Sequence, residues 1–94
     1  MRSLLAISVD EPLIQAIQGE LTQGVIGIGA AVRRLRVEVT GLHQTQFARM
    51  CRISVRTLVH IEHEEGNPTL KSLNSVFKPF GLQMGVVRLR KTSG

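Results

Sequence analysis

The sequence predicts a mainly α fold that ends in a C-terminal β-strand. Two observations predict it: apolar residues recur at helical spacing over most of the chain, and the spacing changes to a period of two near residue 82. With 94 residues, the chain is near the lower size limit for a core that is stable without disulfides or a partner. We therefore expect a single domain that gains stability by forming a homodimer.

The composition favours a polyanionic partner, because twelve Lys and Arg face seven Asp and Glu and give a net charge of +5. A basic protein without such a partner is the alternative interpretation. Tryptophan and tyrosine are absent, which disfavours a platform for stacking single-stranded bases. Cys51 is the only cysteine, so an intramolecular disulfide is excluded and no zinc-site spacing is present.

We expect a cytoplasmic protein with no membrane contact. No apolar run reaches the roughly 18 residues that a membrane-spanning helix needs. The apolar start of the chain breaks at Asp10-Glu11-Pro12 and has no small-residue cleavage site, so we interpret it as part of the mature protein.

Residues 1–24 are interpreted as an N-terminal arm and helix. The segment 3–9 is apolar and partly β-branched, which fits either a strand or an ordered arm. Asp10 can cap a helix whose first turn contains Pro12, and this helix should end near residue 24. Its apolar face would consist of Leu13, Ile14, Ile17 and Leu21.

Residues 25–81 are predicted to form a helical domain. Gly27 and Gly29 weaken the start of its first helix, and Gly41 can end that helix in the left-handed conformation. Ser54 and Thr69 are suitable N-caps for two of the later helices. The predicted helices are 26–39, 44–51, 55–63 and 70 to about 78. The predicted inward residues are Ile28, Ala31, Val32, Leu35, Val39, Phe47, Ala48, Cys51, Leu58, Ile61, Glu62, Leu70, Leu73, Val76 and Phe77.

Residues 82–94 are predicted to be a dimerisation strand, 82–89, followed by a tail. Pro79 should end or distort the preceding helix before Gly81. A single strand cannot satisfy its own backbone groups. Its partner would be either the segment 3–9 or the same strand of a second subunit.

The stretch 41–68, reading GLHQTQFARMCRISVRTLVHIEHEEGNP, combines two short helices with a three-residue turn. Such spacing lets the second helix lie in the DNA major groove while the first contacts the backbone. Several short motifs here, GLHQ at 41–44, Phe47-Ala48, Ile53-Ser54, Ile61-Glu62 and Asn67-Pro68, resemble the Xre-type, phage-repressor-like helix-turn-helix family. The resemblance covers about residues 26–82.

The resemblance implies a five-helix repressor-like helix-turn-helix domain with an extra N-terminal helix. The strand that follows looks like that of HipB-type antitoxins, whose strands pair across a dimer and which are partnered by HipA-type kinase toxins. The resemblance therefore implies a dimeric transcriptional repressor that binds a palindromic operator in double-stranded DNA and acts as the antitoxin of an autoregulated operon. A protein-interaction module built on the same scaffold, without DNA reading, is the alternative function.

The resemblance also implies residue roles. Gln44 would contact a phosphate at the start of its helix, and Val55, Arg56, Val59 and His60 would face the groove. Arg56 is the main candidate for base reading, since a guanidinium can donate two hydrogen bonds to guanine. Thr57 is a further candidate for a phosphate or base contact, and Asn67, Arg49 and Arg52 are candidates for contacts to the DNA backbone.

Three departures from the family pattern qualify these roles. His43 replaces the usual threonine cap, which weakens the start of the helix that opens with Gln44. The family arginine that pairs with Glu62 falls on Val37 in this register, while Arg36 is one residue earlier. We therefore expect a one-residue longer loop at 39–40 to restore an Arg36–Glu62 pair. Glu64 and Glu65 would place negative charge close to DNA.

Simpler interpretations stay open for these residues. Gln44 could be an ordinary exposed helix start, and Arg56 and His60 a solvated face. His60 and His63 have a spacing that a metal can use, but the sequence offers no third ligand. Cys51 fits a small buried apolar residue better than a redox sensor. No catalytic constellation, metal site or cofactor motif is recognised.

Overall fold

The structure of the chain, a computed structural model, describes residues 10–86, and within this range helices are joined by short loops. The helices are α1 (Glu11–Thr22), α2 (Ile28–Arg34), α3 (Gln44–Cys51), α4 (Val55–Glu62) and α5 (Leu70–Phe77). A π-helix, Leu35–Thr40, continues α2, and a 3-10 turn, Lys78–Phe80, follows α5. The mainly α class is confirmed, while the predicted arm 3–9 lies outside the described residues.

Helix α1 begins at the predicted cap and packs on α2. The Asp10 carboxylate accepts the backbone N–H of Leu13 at 3.3 Å, and Ile14 and Ile17 are buried. Arg34 of α2 donates to Glu20 at 3.0 Å and to Glu38, where the salt bridge measures 3.1 Å. The hydrogen bonds to Glu38 and then to Glu20 raise the pKa of the Arg34 guanidinium, against an opposing effect of desolvation.

Helix α2 begins two residues later than predicted, because Gly27 is its N-cap and has an extended backbone. It ends as predicted at Gly41, which is left-handed with φ +69°. Between these points the helix widens into a π turn, closed by a 2.8 Å hydrogen bond from the Gly41 N–H to the Arg36 carbonyl. The extra residue expected in a loop at 39–40 is therefore accommodated inside the helix.

The core lies where the helices α1 to α5 meet. The rings of Phe47 in α3 and Phe80 in the 3-10 turn stack with centroids 6.1 Å apart. Leu82 and Met84, after the last turn, pack against the edge of this core. Buried apolar side chains are contributed by all five helices, the π-helix and the 3-10 turn: Ile14, Ile17, Ala31, Val32, Leu35, Phe47, Ala48, Cys51, Leu58, Ile61, Leu73, Val76, Phe77 and Phe80.

One residue that was predicted to lie in the core, Leu70, is not buried. Leu70 is 62% exposed, because it is the first residue of α5 and lies ahead of the turn that Leu73, Val76 and Phe77 bury. Pro79 distorts the end of α5 into the 3-10 turn, as predicted, before the left-handed Gly81.

The first part of the predicted strand, 82–86, forms no regular element, and 87–89 lie outside the described residues. Leu82 and Met84 are half-buried whereas Gln83 and Gly85 are exposed, but Val86, predicted to lie on the side of Leu82 and Met84, is fully exposed, so the period of two holds only over 82–85. The Met84 N–H donates to the Asn74 side-chain oxygen at 2.7 Å. A strand requires a neighbouring strand, and the described part of this single chain contains none. Pairing across a dimer therefore stays a prediction.

Candidate nucleic-acid interface

Helices α3 and α4 are joined by three residues, and each begins with a different cap. Ser54 accepts the backbone N–H of Thr57 at 3.0 Å and so caps α4 as predicted. At α3, the His43 N–H donates to the Gln46 side chain at 3.0 Å. The helix that opens with Gln44 is thus supported by a glutamine three residues after the cap, which the expectation of a weak start had not considered.

A buried ion pair connects α4 to the π-helical segment. The Arg36 Nε donates to Glu62 Oε2 at 2.6 Å, and its Nη2 donates to Oε1 at 3.0 Å. The two side chains are only 12% and 3% exposed. Arg36 also donates to the Leu42 carbonyl at 3.1 Å. The predicted Arg36–Glu62 pair is therefore present, and it is bidentate.

Gln44 joins this pair instead of extending freely into solvent. Its Nε2 donates to Glu62 Oε1 at 3.2 Å, and the residue is half-buried. One N–H of the Gln44 amide therefore donates to Glu62. The second N–H is left to donate to a phosphate. Arg36, Gln44 and Glu62 together fix the start of α3 against the end of α4.

The outer side of α4 carries the four residues predicted to face a groove. Arg56 is exposed, Val55 is 39% exposed, and Val59 and His60 are half-buried. Leu58 and Ile61 are buried on the opposite side of the same helix. The hydrophobic side of α4 thus anchors it, while a cation, two valines and an imidazole are left accessible. Among the described residues, Arg56 takes part in no ion pair.

His60 and two other predicted residues, Thr57 and Asn67, line one small polar depression beside α4. Thr57, His60 and Asn67 lie around a volume of about 200 Å³. The Ser54 hydroxyl donates to Thr57 Oγ1 at 2.9 Å, so Thr57 is partly engaged with the helix cap. The remaining lining is Glu65, Pro68, Thr69 and Ser72. Sequence reasoning had not connected Ser72 with this place, because it comes from the following helix.

The remaining predicted residues, Arg49 and Arg52, are exposed near the end of α3. Arg52 is left-handed, with φ +61° and ψ +43°, a conformation that costs a non-glycine residue about 1–2 kcal/mol. Both arginines lie near the turn into α4, yet no described contact connects them with the depression around His60.

The described part of the chain has more exposed cations than exposed anions. Its ion pairs use Arg34 and Arg36. The exposed cations outside these pairs are Arg33, Arg49, Arg52, Arg56, Lys71 and Lys78. All but Arg33 belong to α3, the turn before α4, α4, α5 or the 3-10 turn that follows α5, and long-range attraction to a polyanion would therefore act mainly on this part of the domain.

Glu64 and Glu65 differ from each other although they are neighbours. The Glu64 carboxylate accepts the Gly29 N–H at 2.8 Å, so one of its oxygens is already hydrogen-bonded within the domain. Glu65 lines the depression beside His60. The expectation that both acids simply oppose DNA is thus altered for Glu64, and the sequence offered no pattern that joins it to a glycine 35 residues away.

Cys51 is buried in α3, and desolvation raises the pKa of its thiol to about 12. The neutral thiol behaves there as a small apolar side chain, in line with the simpler interpretation. Within residues 10–86, no three His, Cys, Asp or Glu side chains come together in a way that could hold a metal ion.

Comparison with protein-family models, with curated proteins and with solved structures gives no match for this chain. The likeness to Xre-type repressors therefore rests on the residues of the chain alone. Among the described helices, none combines the length and the apolar character needed to cross a membrane.

Proposed function

We propose that this chain is a sequence-specific DNA-binding transcriptional repressor in which α3, the turn and α4 act as a helix-turn-helix. In this proposal α4 enters the major groove of double-stranded DNA, and Arg56 donates two hydrogen bonds to a guanine. Val55 or Val59 would contact a thymine methyl group. Gln44 would contact a phosphate with the amide N–H that Glu62 does not use.

The observation that carries the proposal is the two-sided character of α4. One side is buried through Leu58 and Ile61 and is fixed by the ion pair of Glu62, while the other leaves Arg56 accessible. A reading helix needs both properties, because a base contact is specific only if the side chain starts from a fixed position. A merely solvated helix face would not need such a connection to its neighbours.

A homodimer that binds a palindromic operator is part of this proposal. One α4 presents few side chains to base edges, and two copies about one helical turn apart would double the number of contacts. The predicted strand 82–89 would join the copies. We further propose, on the resemblance alone, that the repressor is the antitoxin of its own operon and binds a HipA-type kinase toxin. Copurification with the product of a neighbouring reading frame tests that part.

Selection of bound sequences from random DNA duplexes tests the DNA-reading role directly. We expect a palindromic consensus and binding that weakens steeply with salt. Arg56→Ala should then lower affinity for the selected duplex by about 1–3 kcal/mol while changing affinity for random DNA much less. Arg33→Ala is the matched control, because it removes the same charge from an exposed position on α2.

Equal losses on selected and random DNA for Arg56→Ala would contradict the base-reading role. Failure to enrich any sequence at low salt would contradict DNA reading altogether. The second candidate, a protein-interaction module, would then be favoured by an apolar groove of about 320 Å³ between α1 and the segment 82–84. A partner captured through that segment would support it.

A further inference from the structure

Glu64 has a backbone conformation that few non-glycine residues adopt. It follows α4 and the C-cap residue His63, and its φ is +54°. Such a conformation persists only where surrounding contacts hold it in place. The side chain of Glu64 supplies one such contact, a hydrogen bond to α2.

The donor of this hydrogen bond lies in the first turn of α2. The Glu64 Oε2 accepts the Gly29 N–H at 2.8 Å across 35 residues of sequence. Gly27, the N-cap of α2, offers no side-chain hydrogen bond to this turn. The carboxylate of Glu64 therefore takes the place that a capping side chain on α2 would ordinarily fill.

The glycines of α2 leave the space that this contact requires. A Cβ atom on Gly27 would lie 2.5 Å from Glu64 Oε2. A Cβ atom on Gly29 would lie 2.9 Å from the Ile61 carbonyl oxygen and would also overlap that of Glu62. Backbone atoms at the end of α4 thus lie directly against α2. The Glu64 carboxylate adds a charge-assisted hydrogen bond to the same contact.

From these contacts we infer that Glu64 is a positioning residue, which sets the tilt of α4 against α2 and thereby the direction of Arg56. The inference rests on the proposed DNA-reading function. Two connections would then hold the last turn of α4: the Arg36–Glu62 pair on one helical segment and the Glu64–Gly29 bond at the start of α2. Removal of the second connection would leave α4 attached but free to tilt.

The inference is testable because a lost positioning contact and a lost negative charge change the affinity for DNA in opposite directions. If Glu64 acted only as a negative charge near DNA, its removal would strengthen binding, and removal of Glu65 would do the same. If Glu64 positions α4, its removal weakens binding to the selected duplex. Glu65 is the matched control, since it is adjacent and exposed, and its carboxylate forms no hydrogen bond or ion pair within residues 10–86.

The experiment compares Glu64→Ala, Glu64→Gln and Glu65→Ala in the full chain, with the DNA duplex obtained by selection. We expect Glu64→Ala to weaken binding about tenfold, the equivalent of one lost base contact. Glu64→Gln, which keeps a hydrogen-bond acceptor, should lie between it and the parent. Glu65→Ala should bind as tightly as the parent or more tightly. Equal tightening by Glu64→Ala and Glu65→Ala would overturn the inference.

Amide chemical shifts of the free protein give a readout that needs no DNA. Glu64→Ala should shift the Gly29 amide and the amides along α4, whereas Glu65→Ala should not. Changes confined to residues 63–65 would overturn the inference even if DNA binding by the parent is observed. If the parent binds no duplex, the proposed function fails, and these shifts decide the role of Glu64 by themselves. Glu64→Gly, which suits a φ of +54°, replaces Glu64→Ala should the latter fail to fold.

Discussion

Replacing Arg36 with methionine would remove a guanidinium that is 12% exposed and leave the Glu62 carboxylate, 3% exposed, without its cation. Removal of one partner from a buried ion pair costs about 3–5 kcal/mol, because a charge stays buried without compensation. Gln44 still donates to that carboxylate at 3.2 Å, so we expect the lower end, about 3 kcal/mol. The loss is large beside the roughly 5–14 kcal/mol that a domain of this size has.

Urea unfolding followed by circular dichroism measures this loss, since the chain has neither tryptophan nor tyrosine as a fluorescent probe. The midpoint of thermal unfolding should fall by roughly 12–24 °C, at about 4–8 °C per kcal/mol for a small domain. Arg34→Met is the matched control. It removes two ion pairs from the same helical region, but their carboxylates, Glu20 and Glu38, are 39% and 43% exposed, and exposed pairs contribute about 0–1 kcal/mol each.

The double variant Arg36→Met, Glu62→Met isolates the pair itself. Since it leaves no buried charge, it should be more stable than the sum of the single variants predicts, by about 2 kcal/mol or more. Additive losses in this cycle would refute the reasoning. So would an Arg34→Met variant that loses as much stability as Arg36→Met, because burial would then not be what distinguishes the two arginines.

Three further substitutions or measurements test other contacts. Gly29→Ala should destabilise by about 1–3 kcal/mol in urea unfolding, because its Cβ would meet carbonyl oxygens of α4. Gly19→Ala, with no atom within 4 Å of the added Cβ in α1, should stabilise by up to about 1 kcal/mol, and the same sign for both would contradict the packing argument. Arg52→Gly should stabilise by about 0.5–1 kcal/mol, because glycine adopts a φ of +61° without strain; a loss would mean that its side chain packs. Because burial raises the pKa of the Cys51 thiol to about 12, little thiolate is present at pH 8, and a disulfide reagent should label it rapidly in urea and slowly in buffer. Rapid labelling in buffer would contradict its burial.

The helices were predictable because local patterns determine them. Asp10, Ser54 and Thr69 each accept an N–H three residues later, and a capping residue needs only its own chain to act. Gly41 was predictable for the same reason, since a left-handed residue ends a helix wherever the apolar spacing stops. Predictions that depend on i, i+3 and i, i+4 neighbours therefore hold along α1 to α5 except at Leu70, the first residue of α5.

Contacts between distant residues could not be read in the same way. Leu70 matched the apolar spacing of α5, but only the packing of its neighbours decides that it stays exposed. The extra residue before Gly41 could be placed in a loop or in a π turn, and the sequence pattern does not decide between the two. The hydrogen bond from Gly29 to Glu64 depends on how α2 meets the end of α4, which no pattern within one helix reveals.

In the candidate site, too, the features set by local patterns were predictable and the contacts between distant residues were not. The sequence identified which side of α4 is accessible, because Leu58 and Ile61 fix the buried side. It did not identify Glu62 as the acceptor of the Gln44 amide, because that contact joins residues 18 positions apart on two different helices. Long-range charged contacts are therefore the part of this site that only the folded chain defines.

Two residues that flank α4, Arg52 and Glu64, both have left-handed backbone conformations. Arg52 precedes it with φ +61° and Glu64 follows it with φ +54°, and within residues 10–86 these two are the only non-glycine residues with positive φ. Glycine would be free of strain at both places. Strain of about 1–2 kcal/mol at each would be offset by a side-chain contact that glycine lacks. For Glu64 that contact is the bond to Gly29. For Arg52, which is exposed and has no ion pair in the described structure, a contact to a DNA phosphate would supply it, and Arg52→Gly should then make the protein more stable while reducing the salt dependence of DNA binding by about one phosphate contact.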